Sequence, residues 1–226
     1  LRRMSVLATR VLMAFAIFAA VILITLGKPL IHYWLGKPEI VEQSYPIMVM
    51  LSLALIVRLP SIAITGALTG IGAVEFVGRR AILEAIVTVL LELLFVPLFG
   101  LPGVALGILV TQVLVVAVAQ PVFLAKALEM PVGQFVAGSV GPTLLSSLPA
   151  IIAGALFYYG WPPQSLLALL VQAVSLAVCF AIPAWFLVLD ADLRDSILSS
   201  ARKRRKKNKK EAVVPQVDPQ IGAKLP

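Results

Sequence analysis

Six stretches of about 17 to 25 nearly uninterrupted apolar residues constrain this chain more than any other feature it carries. They run over about residues 6–26, 45–66, 81–99, 103–124, 139–159 and 166–189. At a rise of about 1.5 Å per residue, each is long enough to cross a hydrocarbon core of about 30 Å as a helix. In water, six such helices would expose more apolar surface than one core can bury, and lipid is the solvent that resolves the excess. Composition agrees, since 60% of residues are apolar and 13% charged, against about 25% charged in a soluble domain. Mean hydropathy is +1.01. The expected fold class is all-α, a polytopic membrane helical bundle of about six transmembrane helices over residues 1–190. The first stretch follows Leu1-Arg2-Arg3 as a signal peptide would, but it is too long, and Lys28-Pro29-Leu30 supplies no small-residue cleavage site.

The net charge of +8 is a local property, because eight of the 19 basic residues form one run from Arg202 to Lys210. The rest of the chain is close to neutral. Next to a membrane, such a run is expected to meet anionic lipid headgroups, and nucleic acid is not expected as a partner. Residues 191–226, with Pro215, Pro219 and Pro226 and no helical period, read as a basic, disordered cytoplasmic tail. Arg2, Arg3, Arg10, Arg79, Arg80 and Lys126 fall on the tail side of the spans, and Lys28 and Lys37 on the other. The positive-inside rule then places both termini in the cytoplasm of a multi-pass protein of the cell inner membrane. Tyr33, Trp34, Tyr158, Tyr159 and Trp161 form the aromatic belt of the opposite face.

Catalytic and cofactor constellations are not expected. Cys179 is the sole cysteine and His32 the sole histidine, which excludes disulfides, zinc clusters and CxxC redox chemistry within the chain. Gly66, Gly70, Gly72 and Gly78 are not followed by a Walker lysine, so they read as a flexible glycine-rich connector and not as a phosphate cradle.

Ionisable groups at membrane depth are expensive and mark function by default. Arg58 in the second span and Glu92 in the third fall at similar predicted depth. Either the two form a structural ion pair, or Arg58 meets an anionic substrate group while Glu92 tunes it or titrates. Arg58, Ser61 and Thr65 recur at i, i+3, i+7, as a polar seam on one helix face would. These four residues are the predicted substrate-binding set. Glu84, Thr88 and Glu92 recur at i, i+4, i+8. Glu84 itself reads as structural, favouring a helix N-terminus with Arg80 four residues away. Gln112 and Gln120, and a stripe of Ser165, Gln172, Ser175 and Cys179, read as helix-packing hydrogen-bond formers. Pro60, Pro142 and Pro149 mark expected kinks.

Two motifs carry a resemblance. The first runs from Leu26-Gly27-Lys28-Pro29-Leu30 into Tyr33-Trp34-Leu35-Gly36, and the second is Phe99-Gly100-Leu101-Pro102-Gly103-Val104-Ala105-Leu106-Gly107 after Arg79-Arg80. Over residues 1–130 the chain resembles the C-terminal half of polysaccharide (O-antigen or lipid-linked oligosaccharide) flippases of the multidrug/oligosaccharidyl-lipid/polysaccharide exporter superfamily. The resemblance implies one lobe of a two-lobed, alternating-access exporter, which flips a polyprenyl-linked oligosaccharide during surface polysaccharide or lipopolysaccharide biosynthesis. In that frame Arg58 would meet the lipid pyrophosphate. Because the sequence starts at Leu1, an N-terminal lobe of the same protein is the expected partner. The alternatives are a cation-coupled multidrug exporter of the same superfamily, with Glu92 as its ion site, and a non-transporting membrane subunit.

The orientation is testable by accessibility. In a Cys179→Ser background, Lys37→Cys and Tyr159→Cys should react with an impermeant maleimide in intact cells, and Arg79→Cys only after permeabilisation. The opposite pattern overturns the orientation.

Overall fold

Continuous hydrogen-bonded helix is the form open to a backbone crossing lipid, because nothing else satisfies every N–H and C=O within one segment. The computed structural model, which describes residues 2–189, is accordingly all-helical, with no strand among the described residues. Six helices are long and apolar enough to cross a membrane: α1 (Arg2–Leu35), α2 (Pro38–Gly70), α3 (Val74–Phe99), α4 (Leu101–Ala127), α5 (Val132–Gly160) and α6 (Leu166–Leu187). Most outrun their predicted spans, since hydropathy finds only the apolar middle while the helix continues through polar flanks. Helix α3 starts at Val74, not near residue 81. The basic run and the tail expected over 191–226 lie outside the described residues.

The glycine-rich connector is a correction. Gly66 and Gly70 lie within α2 and Gly78 within α3, so the link is only the turn at 71–73. Gly72, at φ +82°, takes the left-handed conformation there, and the Ala73 N–H closes back on the Leu68 carbonyl at 2.9 Å, as in a Schellman cap.

Helices α1 and α2 pack along one another; α3 and α4 join on the α2 side, and α5 and α6 on the α1 side. In lipid no hydrophobic force draws apolar helices together, so close backbone approach through small residues does the work. Helix α5 buries Ser139, Thr143, Ser146, Ser147, Ala150 and Gly154, and α1 buries Ala16, Ala20 and Gly27. A Cβ on Gly154 would stand 2.7 Å from the Thr25 side chain. An apolar cluster of Ile64, Leu68, Leu124, Leu128 and Phe135 ties α2, α4 and α5 near the end that carries the 71–73 turn.

The Phe99–Gly107 motif has a local physical explanation. Gly100, at φ +64°, reverses the chain in one residue between α3 and α4, and Pro102 stands in the first turn of α4, where its missing N–H removes no bond. A Cβ on Gly103 would collide with the backbone carbonyl of Phe95, and one on Gly107 would press on Glu92 Cγ at 3.0 Å. The motif builds a tight helical hairpin.

The predicted kink prolines lie inside helices, and one has a visible remedy. Pro142 cannot donate to the carbonyl four residues back, that of Gly138. Arg10 on α1 donates to it instead, Nε to O at 2.9 Å. A double-mutant cycle checks this substitution of bonds. Arg10→Met should destabilise the wild type by about 1 kcal/mol more than it destabilises Pro142→Ala, where a ladder N–H is restored. Additive losses in thermal unfolding would remove the link.

Candidate substrate-binding site

Three helices bring polar side chains to one point within the bundle, and Glu84 is that point. Its Oε1 accepts from Arg58 Nη1 of α2 at 2.8 Å and from Gln112 Nε2 of α4 at 2.9 Å. Its Oε2 accepts from Arg80 Nη1, one turn back on α3, at 2.7 Å. Charge-assisted bonds of this length are the strong class. The three side chains differ in exposure: Arg80 is 8% exposed, Glu84 15% and Arg58 51%. The buried pair is therefore the anchor, and Arg58 is the accessible member.

The network extends through Gln120 of α4. With its amide oxygen turned toward Arg80, it accepts from Nε at 3.2 Å and Nη1 at 3.3 Å, and from Thr65 Oγ1 at 3.0 Å. The assignment follows from Arg having donors only, so a facing amide must present oxygen. Gln112 lies in a π-helical turn, Gln112–Val116, a wide turn often found at functional sites. Its Oε1 is buried and without a partner among the described residues. Two guanidinium groups against one carboxylate leave the cluster with an excess positive charge.

Of the predicted set, Arg58 and Thr65 enter this network, from its two ends. Ser61 is buried and donates to the carbonyl of Arg58 at 2.7 Å. It lines a largely apolar cavity of about 180 Å³ with Pro60 and Ile64, and Gln120 of the network forms part of the same wall.

The expected juxtaposition of Arg58 with Glu92 is replaced by Arg58 with Glu84. Counted from the 71–73 turn at 1.5 Å per residue, Arg58 lies about 18 Å along α2 and Glu84 about 15 Å along α3, but Glu92 about 27 Å. The early start of α3 shifts Glu92 by about 10 Å from the depth expected of it. Glu92 is half-buried against Gly107, and no hydrogen bond or ion pair reaches it among the described residues. The i, i+4 link of Glu84 to Arg80 agrees with its structural reading, but the residue also holds Arg58 and Gln112. A seam drawn back one turn from Glu84 reaches Arg80; no comparable signal identifies which amides of α4 face it.

Among the described residues no cluster of His, Cys, Asp or Glu is arranged to hold a metal. No family model, curated protein or solved structure matches the chain.

Removing the shared carboxylate strands a buried cation, and the loss of one partner from a buried pair costs roughly 3–5 kcal/mol. Glu84→Ala should therefore unfold far earlier than wild type in detergent. Arg58→Ala should lose no more than about 1 kcal/mol, as half-exposed ion pairs do, and Glu92→Gln close to nothing. Equal stability of Glu84→Ala and Glu92→Gln would contradict the shared-carboxylate arrangement.

Proposed function

We propose that the chain is the C-terminal part of a transporter that flips a polyprenyl-linked oligosaccharide across the cytoplasmic membrane by alternating access. The observation that carries this reading is the net-positive cluster of Arg58, Arg80 and Glu84 within apolar helices. Only Nη1 of Arg58 is engaged within the described residues, and a guanidinium has five N–H donors. Arg58 can thus offer two parallel donors to a phosphate oxygen pair, the geometry in which arginine recognises phosphate. Glu84 moderates the site. A bare pair of arginines in low dielectric would hold a pyrophosphate too tightly to release it, whereas the neighbouring carboxylate offsets part of their charge and weakens the hold. The Tyr-Trp-Leu-Gly and Phe-Gly-Leu-Pro-Gly motifs support the same family of transporters.

A second reading, a cation-coupled multidrug exporter, is favoured by one observation. Glu92 is a half-buried carboxylate without an ion-pair partner among the described residues, a suitable place for a proton or a cationic substrate.

Flipping of a polyprenyl-pyrophosphate-linked sugar in proteoliposomes separates the two. The protein that carries this chain is reconstituted and lipid accessibility followed in time. Arg58→Ala should slow flipping tenfold or more, in keeping with about 1.5–3 kcal/mol for a hydrogen bond to a charged group. Arg58→Lys should keep part of the rate, and Glu92→Gln all of it. If Glu92→Gln abolishes transport while Arg58→Ala leaves it intact, the cation-coupled reading replaces the flippase.

A further inference from the structure

A second cavity lies at the opposite end of the bundle from the 71–73 turn. It has a volume of about 460 Å³, within the range of small-molecule sites, roughly 300–1,000 Å³. The ends of α1, α2 and α5, the connection into α6 and Gln172 within α6 form its wall. Its surface combines an ion pair, aromatic rings that include His32, several prolines and a buried amide. Lys28 and Glu42 face each other as an ion pair at 2.7 Å, so donors and acceptors are present with no charge left over from the pair. Tyr33, Phe157 and Tyr158 line it with aromatic side chains. Gln172, 6% exposed, is fixed by its Nε2, which donates to the Trp161 carbonyl at 2.7 Å. Its Oε1 is buried with no partner among the described residues.

Gln172 belongs to the cavity wall, and its unpaired acceptor lies just beneath that surface, where a small rotation of the amide would offer it to an N–H or O–H donor that enters. The Lys28–Glu42 pair disfavours a ligand of net charge, because a phosphate would gain from the ammonium what it loses to the carboxylate. Rings disfavour a fully hydrated polar group and favour one with apolar faces. A group with hydroxyl donors at its rim, apolar C–H faces and no charge meets all three conditions. We propose that this cavity binds a neutral sugar ring. Its α2 residues, Pro38 to Glu42, lie about 24–30 Å from Arg58 along the helix, too far to serve the sugar next to a pyrophosphate held there. On the transport reading above, from which the source of the sugar is taken, it is an exit-side station for distal sugars or for the headgroup after transfer.

The test uses the full chain in lipid nanodiscs, with the fluorescence of Trp161 and the other tryptophans as readout. It is titrated with glucose, galactose, rhamnose and N-acetylglucosamine, and in parallel with glycerophosphoethanolamine. The proposal expects saturable quenching by at least one sugar, weakened tenfold or more by Gln172→Leu. Glu42→Gln, at an exposed carboxylate whose removal spares the packing, should weaken it as well. Absence of saturation with every sugar, equal affinity in both variants, or a stronger response to glycerophosphoethanolamine than to any sugar overturns it. The two readings fail separately. Sugar binding lost alongside intact, Arg58-dependent flipping removes only the cavity proposal, and sugar binding retained without Arg58 dependence removes only the transport reading.

Discussion

The carboxylate of Glu84 is the interaction on which the rest of this arrangement depends. Two arginines in helices rich in leucine, isoleucine and valine face a desolvation penalty that neutral partners such as Gln120 offset only in part. Glu84 gives each a short charge-assisted bond and takes a third from Gln112. Arg80 is the only buried residue of α3, so the helix is held to the bundle by this polar point, by its hairpin with α4 and by Phe76 and Val77 packed against the core cluster. An apolar helix attached this way keeps most of its surface free of the other described helices.

The hairpin and the polar point reinforce one another. Gly103 and Gly107 bring α4 against α3 closely enough for Gln112 to reach Glu84, and the same approach seats Glu92 on Gly107. The glycines act by what they leave out. On the other side of the bundle, hydroxyl-bearing residues of α5 play a related part. Ser139, Thr143 and Ser147 are fully buried, and each bonds back to a carbonyl of its own helix at 2.5 to 2.8 Å. Their polarity is absorbed locally and their small size is left for packing.

Helix number and class are legible in the sequence because hydropathy over about 20 residues is a one-dimensional signal. The partner of Arg58 is not. Choosing between Glu84 and Glu92 needs the start of α3 to within two turns, and hydropathy finds the apolar part of that helix while missing the polar turns at 74–80 that precede it. Glu84 with Arg80 is readable because i, i+4 spacing is local. Gln112 and Gln120 are visible as polar residues, but the face they present depends on the π turn that begins at Gln112. The cavity near Gln172 is illegible for a plainer reason. Its wall comes from segments more than a hundred residues apart, and the residue pattern of each alone looks like an ordinary interfacial belt.

The bond from Arg10 to the Gly138 carbonyl has a mechanical meaning. A proline ordinarily gives a membrane helix a soft joint, because one rung of its ladder is missing and bending there breaks nothing. At Pro142 the vacant acceptor is occupied by a side chain from the neighbouring helix. Flexure of α5 at that point must either drag α1 with it or open a charge-assisted bond in a medium of low dielectric. The joint is therefore geared and not free, and the two helices are set to travel as a couple.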